Sequence, residues 1–307
     1  MTVSSPASGG ETGPVALFGL VGFTIFVWGI NWPIMKIGLG HISPVWFAAW
    51  RLGIAAAFFF AIFAVKRRLP WPPRRDLPVL LSLAVLQLAG TMGFVHIALA
   101  WVEPGRSAIL SHTHALWAAP LALIFLGERL TAPQAVGIAL GMGGVLVIFN
   151  PLALDWSADG VVLGHLLLLW SALNLAIGMV HVRGHRWASS PLEVMPWASL
   201  LATVLLVGLA LGFEDANAID WSPSLIGILG FNGVMVGALG FLAYTHAARA
   251  MPPSKLALAL LGTPVLGLLA SAVWLGEPMT ATKIVGLVLI SGGVALVTAG
   301  DLFRRWR

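Results

Sequence analysis

Two matching stretches of sequence decide the fold: residues 126–145, LGERLTAPQAVGIALGMGGV, and residues 275–294, LGEPMTATKIVGLVLISGGV. They align without a gap at an offset of 149 residues, and each begins with Leu-Gly-Glu and ends with Gly-Gly-Val. The same offset carries Pro104 onto Pro253, well before either stretch. Self-similarity at a fixed offset indicates a repeated structural unit, so we interpret the chain as two homologous halves.

The composition places most of this chain in a lipid bilayer. Of its 307 residues, 59% are hydrophobic and only 9% are charged, and the mean hydropathy is +0.93. Soluble domains carry about 25% charged residues. The absence of cysteine excludes disulfides, thiolate metal sites and cysteine nucleophiles. The net charge of +5 does not indicate nucleic-acid binding, because the charged residues lie in short loops between apolar runs.

Ten apolar runs approach the length that crosses a bilayer as a helix, which is about 20 residues. In chain order they are 15–35, 44–65, 78–101, 105–126, 132–149, 161–182, 192–213, 222–247, 254–275 and 281–300. We therefore predict an all-α membrane protein of ten transmembrane helices. Its parts are an N-terminal tail (1–14), a first five-helix repeat (15–149), an outer linker (150–160), a second five-helix repeat (161–300) and a basic C-terminal tail (301–307).

The positive charges predict the orientation of these helices. With the N-terminus in the cytoplasm, 13 of the 17 Lys and Arg residues fall on the cytoplasmic side, 3 fall on the outer side, and Arg51 lies within the second helix. Lys and Arg favour cytoplasmic loops, so both termini are predicted to be cytoplasmic. An odd number of helices per half makes the halves cross the membrane in opposite senses. Such inverted repeats place a binding site between the halves near the midplane and permit alternating access, with duplication for stability alone as the alternative.

Several short motifs resemble a known family. The segment Trp28-Gly29-Ile30-Asn31, followed by Lys36, Pro44 and Arg51, resembles the opening of the EamA-type exporters of the drug/metabolite transporter superfamily. The second half also has that family's proline 13 residues before the Glu of Leu-Gly-Glu, at Pro264, whereas the first half has Ala115 there. The resemblance implies efflux from a bacterial cytoplasm across the inner membrane. The many Trp residues and the polar fourth helix resemble the aromatic amino acid exporters of the family, which implies substrates of that kind.

Polar residues within apolar helices mark the candidate binding site, because an unpartnered polar group in hydrocarbon is costly. The fourth helix, for example, is polar at Ser111 where its repeat mate has Leu260. The candidate substrate-binding residues are Trp28, Asn31, Gln87, Thr91, Ser111, His114, Trp170, Asn174, Asn232 and Tyr244. Trp28 and Trp170 are the candidates for stacking on an aromatic substrate, and hydrogen bonds between helices are the alternative role of the polar residues.

The placement of ionisable residues bears on energy coupling. No Asp or Glu falls at the middle of a predicted helix, whereas intramembrane carboxylates mark proton relays in pumps. This favours passive, gradient-driven facilitation, with proton coupling through histidine second. The alternative function is proton-coupled export of other metabolites or drugs. Arg51 is a functional candidate as an intramembrane charge, or else it snorkels or pairs with backbone carbonyls. Glu128 and Glu277 are assigned to turns, and Thr131 with Gln134 to a helix capping box.

The predicted partners are a small-molecule substrate, such as an aromatic or other hydrophobic amino acid, and the lipid bilayer. No nucleic acid, cofactor or metal is predicted, and the protein is expected to be a monomer or a homodimer. The rival class is an intramembrane enzyme, for which the sequence lacks mid-helix aspartates and an H-E-x-x-H motif. Glycine-rich faces in the fifth and tenth helices predict close helix packing, within the chain or between subunits.

Overall fold

The computed structural model describes residues 13–128, 132–149 and 160–305, and these residues form helices and short connections. The α-helices are α1 (Pro14–Gly38), α2 (Pro44–Val65), α3 (Leu77–Leu81), α4 (Met92–Ala98), α5 (Pro104–Ser111), α6 (His114–Leu126), α7 (Ala132–Phe149), α8 (Val161–Gly184), α9 (Pro191–Phe213), α10 (Pro223–Gly230), α11 (Phe241–Ala250), α12 (Pro253–Ala259), α13 (Gly262–Leu275) and α14 (Ala281–Arg305). A first π-helical segment, Ser82–Thr91, joins α3 to α4, and a second, Phe231–Gly240, joins α10 to α11. Short 3-10 turns lie at Arg74–Asp76 and Ala216–Ala218.

Seven helical segments in the described part of the chain are long and apolar enough to cross a membrane. They are Val15–Gly38, Pro44–Val65, Arg74–Ala98, Val161–Gly184, Pro191–Phe213, Pro223–Ala250 and Lys255–Leu275. Two shorter apolar helices are Ala135–Val147 and Ala281–Gly293. The predicted all-α membrane class is confirmed. The predicted fourth helix is divided into α5 and α6, because the backbone N–H groups of His112 and Thr113 bond the carbonyl oxygens three residues back, at Ile109 and Leu110, which interrupts the α-helical pattern.

Several parts of the predictions lie outside the described residues. The N-terminal tail up to residue 12, most of the outer linker (150–159) and residues 306–307 are among them. So is Thr131, the first member of the predicted capping box.

The repeat at an offset of 149 is a repeat of conformation as well as of sequence. The first π-helical segment, Ser82–Thr91, maps residue for residue onto the second, Phe231–Gly240. Gly127 ends α6 with φ of 65°, and its mate Gly276 ends α13 with φ of 67°. A left-handed residue after a helix favours glycine, which has no Cβ to clash. The shared Leu-Gly-Glu motif therefore encodes the same helix ending in both halves.

Helices α7 and α14, which are mates in the repeat, pack against each other in opposite directions. A Cβ built on Gly144 would lie 2.7 Å from the carbonyl oxygen of Gly286, and one on Gly293 would lie 2.6 Å from the carbonyl oxygen of Gly137. The residue late in one helix thus meets the residue early in the other. The predicted small-residue faces lie at this contact, within the chain.

Helices α2 and α9 repeat this arrangement at a second place. Gly53 lies against Thr203, and further along α2 the ring of Phe60 lies 5.3 Å from that of Trp197. From the first contact to the second, the chain advances along α2 and goes back along α9, so these two helices are also antiparallel. When an element packs on its own mate, the two units are related by a two-fold axis. Because both pairs are antiparallel, that axis lies across the helices, and the two halves point in opposite directions.

Polar contacts join α2 and α9 at both ends of the pair. Glu214, just after α9, accepts hydrogen bonds from the backbone N–H groups of Val45 and Trp46, each at 2.9 Å, and from the Ser43 hydroxyl at 2.7 Å. This carboxylate satisfies the free N–H groups of the first turn of α2. At the other end, Arg68 donates to Glu193 at 3.0 Å. The two halves are therefore joined at both ends of their central helix pair.

Candidate functional site

A small cavity lies between the two halves. It is lined by Trp28, Asn31, Trp32, Met35, Arg51, Thr91, Met92, Val95, Ser111, His112, Leu175, Val236 and Thr263. Ten of these thirteen residues belong to the first half and three to the second. The space measures about 50 Å³, which is room for a few water molecules. We call it the central cavity.

Trp28 belongs to an aromatic cluster beside the central cavity. Its indole ring lies 4.9 Å from the Phe241 ring and 5.3 Å from the Tyr244 ring, in tilted arrangements. The Trp28 Nε1 and the Tyr244 hydroxyl are buried without a hydrogen-bond partner. Aromatic rings in such offset contacts form a rigid apolar surface. Of these three residues, Trp28 lines the central cavity, together with Trp32, so the cavity has an aromatic surface suited to a flat, apolar group.

Unpartnered polar atoms line the same space. The Oδ1 of Asn31, the hydroxyl of Ser111 and the hydroxyl of Thr263 are buried without a hydrogen-bond partner, and all three residues line the cavity. Buried polar groups in native structures are nearly always satisfied by protein or by bound water. These atoms come from both halves, so a small polar ligand in the cavity would bind the halves together.

The break between α5 and α6 places a histidine at the central cavity. His112 sits at the break, lines the cavity, and its Nδ1 lies 2.6 Å from the carbonyl oxygen of Ala108. This distance makes Nδ1–H the donor, which leaves Nε2 as an acceptor when the ring is neutral. The ring of His114 lies behind it, with the two ring centres 5.3 Å apart. His112, which was not among the predicted site residues, is thus the histidine at the cavity.

Arg51 is the charged residue at the central cavity. Its side chain is 2% exposed, and Nη1 lies 3.6 Å from the Met35 sulfur. Its burial and partners do not support the alternatives of snorkelling or pairing with backbone carbonyls. No Asp or Glu is among the residues that line the cavity.

Comparison with known proteins identifies the family. Residues 15–150 and residues 162–299 each match the EamA-like transporter family. Together these matches cover most of the chain, one in each half. The chain belongs to the EamA-like transporter family. It is therefore a multi-pass membrane transporter and not an enzyme, and the fold is the family's two-repeat membrane fold.

Two curated relatives align with nearly the whole of this EamA-like transporter. The "Probable amino-acid metabolite efflux pump" of Salmonella typhimurium is 28% identical over 294 residues, covering 92% of this chain and 94% of its own. The "Probable terminal-alkyne amino-acid exporter" of Streptantibioticus cattleyicolor is 26% identical over 306 residues, covering 94% and 95%. A solved crystal structure has the same fold, with a TM-score of 0.77 at 20% identity over 96% of this chain and 100% of that one.

Four of the ten predicted site residues of this EamA-like transporter line the central cavity: Trp28, Asn31, Thr91 and Ser111. Five others are buried nearby without lining it: Gln87, His114, Asn174, Asn232 and Tyr244. Thr91 donates to the carbonyl oxygens of Leu86 and Ser171 at 3.1 and 3.2 Å, and the Asn232 amide donates to the Ile228 carbonyl oxygen at 3.1 Å. For these two residues, the alternative role of hydrogen bonding within and between helices is present in the structure.

Trp170 lies away from the others. Its side chain is 54% exposed on the outer surface of the helix bundle. The reason is the register of α8. Thr91 bonds Ser171, and Gly240, the repeat mate of Thr91, lies against the indole of Trp28. Ser171, the next residue of α8, is fully buried and faces the first half in place of Trp170. One residue turns a helix by about 100°.

Besides His112, the cavity-lining residues Trp32, Met35 and Thr263 were not among the predicted site residues. Trp32 and Met35 follow Trp28 at four and seven residues, the spacing of one helix face. Thr263 is the residue onto which the offset of 149 carries His114. A polar residue at that place in an otherwise apolar helix is the signal that could have found it.

Proposed function

We propose that this transporter exports amino acids with aromatic or other hydrophobic side chains from the bacterial cytoplasm across the inner membrane. The observation that carries the proposal is the central cavity. Its aromatic wall around Trp28 suits an apolar side chain, and the unpartnered polar atoms of Asn31, Ser111 and Thr263 suit the polar groups of an amino acid. Two relatives are named for amino-acid export, which supports the same class of substrate.

The proposed topology is ten crossings with both termini in the cytoplasm, in two repeats of residues 15–149 and 161–300. Helices α5 and α6 together supply the fourth crossing, and α7 and α14 supply the fifth and tenth. The antiparallel packing of α7 on α14 and of α2 on α9 supports halves inserted in opposite senses. The excess of Lys and Arg on one side of such an arrangement supports the orientation.

Transport is proposed to occur by alternating access. A cavity of about 50 Å³ is smaller than any amino acid, so the helices around it must separate to admit one. Halves related by a two-fold axis across the helices can exchange conformations, which opens first one side and then the other. Substrate binding at the axis then requires no cofactor.

Passive facilitation is the proposed energetics, because the central cavity is lined by no carboxylate that could carry a proton. Proton coupling is the second candidate, and the observation that favours it is His112 at the cavity, since histidine is the side chain that ordinarily changes charge near neutral pH.

The experiment is efflux from proteoliposomes. Liposomes that contain the purified transporter are loaded with radiolabelled Trp, Phe, Met or Thr, and release is compared with that from protein-free liposomes. We expect faster release of Trp, Phe and Met than of Thr. Release no faster than from protein-free liposomes for all four would refute the amino-acid proposal. Repeating the assay with a pH gradient distinguishes passive facilitation from proton coupling. Passive facilitation predicts that the gradient leaves the equilibrium distribution of the amino acid unchanged.

A further inference from the structure

The helix packing around Arg51 does not itself require a cation at this position. Helices α2 and α9 begin with Ser43-Pro44 and Ser190-Pro191, an offset of 147, which carries Arg51 onto Ala198. Ala198 is fully buried in the equivalent place of the second half. The same helix packing is therefore achieved with alanine in one half and arginine in the other.

The Arg51 guanidinium lacks the partners that a buried cation needs. In the described part of the chain its one hydrogen bond goes from Nη1 to the Met35 sulfur at 3.6 Å, and Nε has no partner there. Within residues 13–128, 132–149 and 160–305, no carboxylate forms an ion pair with it. A thioether is a weak acceptor, and a buried charge without a counter-charge is destabilising.

The buried carboxylate just before α3 shows the contrast. Asp76 is also fully buried, and it accepts from the backbone N–H groups of Ala188 at 3.0 Å and Ser189 at 2.7 Å and pairs with His185 at 3.1 Å. Where a buried charge has a structural role, as at Asp76, the chain supplies hydrogen-bond partners for it. The Arg51 guanidinium lies beside a cavity without such partners.

The central cavity is where the missing anion would fit. Arg51 lines it together with Asn31, Ser111 and Trp28. A guanidinium presents planar N–H donors that match the two oxygens of a carboxylate. We propose that Arg51 binds the carboxylate of the transported molecule. The proposal rests on the proposed function in taking the central cavity as the transport site, and it narrows the substrates to molecules that carry a carboxylate.

The first test measures binding without transport. The detergent-purified protein is heated with 3-phenylpropanoate or with its neutral analogue 3-phenylpropanamide, and the unfolding midpoint is followed by Trp fluorescence. The expected result is that the carboxylate raises the midpoint of the wild type and the amide does not. Arg51→Met should abolish the response, and Arg74→Gln, which removes an exposed positive charge, should retain it.

Arg51→Lys keeps the test decisive if Arg51→Met does not fold. Lysine keeps the charge but cannot form the two-pronged contact, so the apparent affinity for 3-phenylpropanoate should fall on the order of tenfold. The proposal is overturned if the wild type responds equally to the carboxylate and the amide or to neither. It is also overturned if Arg51→Met, or Arg51→Lys where only that variant folds, binds 3-phenylpropanoate like the wild type.

The second test separates this proposal from the proposed function. Efflux of radiolabelled Phe from proteoliposomes should fall about tenfold in Arg51→Met and stay unchanged in Arg74→Gln. If the wild type binds 3-phenylpropanoate through Arg51 but exports none of the tested amino acids, the amino-acid function fails and the carboxylate site stands. If Phe efflux is normal in Arg51→Met, the carboxylate site fails and the amino-acid function stands.

Discussion

Gly144 of α7 lies directly on the backbone of Gly286 of α14. A Cβ at residue 144 would lie 2.7 Å from the Gly286 carbonyl oxygen and 3.0 Å from the Ile290 backbone nitrogen. Backbone atoms cannot rotate away as a side chain does, so any side chain at 144 must push the two helices apart. The contact between the halves depends on this absence of a side chain.

Gly144→Ala is therefore expected to destabilise the protein, by about 1–3 kcal/mol, the usual cost of overpacking a tight contact. Gly143→Ala is the matched control, because a Cβ at the neighbouring residue would meet nothing within 4 Å. Gly143→Ala should be neutral or slightly stabilising, since alanine favours helix by up to about 1 kcal/mol over glycine. The unfolding midpoints in detergent compare the two, and equal midpoints would contradict the tight contact.

Trp28→Ala is expected to slow amino-acid efflux by about tenfold, because the substrate loses a ring contact and buried apolar area. Trp170→Ala is the matched control. It removes the same side chain from the outer surface of the bundle, where Trp170 is 54% exposed, and efflux should stay near the wild-type rate. Both variants need normal expression and a single gel-filtration peak. A loss of efflux in Trp170→Ala with normal efflux in Trp28→Ala would reverse the assignment.

The pKa of Glu277 predicts a pH dependence of stability. Burial raises the pKa of this carboxyl above 4.5, and Glu103 adds to the rise, while Lys283 opposes it. In the folded state Glu277 thus binds its proton more tightly than in the unfolded state. Between pH 4.5 and the raised pKa, the folded state holds more protons, so stability falls as the pH rises through that window.

Glu277→Gln removes this titration and should flatten that part of the curve. The measurement is the unfolding midpoint in detergent from about pH 4 to about pH 7, for the wild type and for Glu277→Gln. Glu193→Gln controls for the loss of a carboxylate elsewhere. Parallel curves for the wild type and Glu277→Gln would show that Glu277 contributes nothing to the pH dependence.

Glu214→Ala should loosen the first turn of α2. It removes the acceptor for the N–H groups of Val45 and Trp46 and for the Ser43 hydroxyl. Loss of a helix cap costs about 0.5–2 kcal/mol. Glu214→Gln, which keeps one acceptor oxygen, should lie between the wild type and Glu214→Ala in unfolding midpoint. A midpoint of Glu214→Ala equal to that of the wild type would mean that the cap does not stabilise the pair.

Much of this architecture is readable from the sequence because apolar runs and the Leu-Gly-Glu repeat report directly on helices and their ends. Trp28, Asn31 and Ser111, which line the central cavity, stand out in the sequence because each is a polar or amphipathic residue within an apolar helix. The two halves match less well in sequence in their first two helices, so the repeat does not show which residues of α8 face inward. In a helix a difference of one residue separates Ser171, which is buried, from Trp170, which is exposed.

Other features depend on tertiary packing and leave no local signal. Neither π-helical segment, Ser82–Thr91 or Phe231–Gly240, contains a proline that would mark it in the sequence. The division of the fourth helix at His112 likewise has no helix-breaking residue. Periodicity that assumes a continuous α-helix therefore does not show that His112, and not His114, lines the cavity.

The packing of α2 on α9 and of α7 on α14 makes each half complementary to its own counterpart. Two separate copies of one half could form the same contacts, but they would have to present identical residues on both sides of the axis. Fusion into a single chain removes that restriction. A fused chain can have arginine at position 51 and alanine at position 198, whereas a symmetric dimer of identical halves cannot. Fusion therefore allows a central cavity that is charged on one side only.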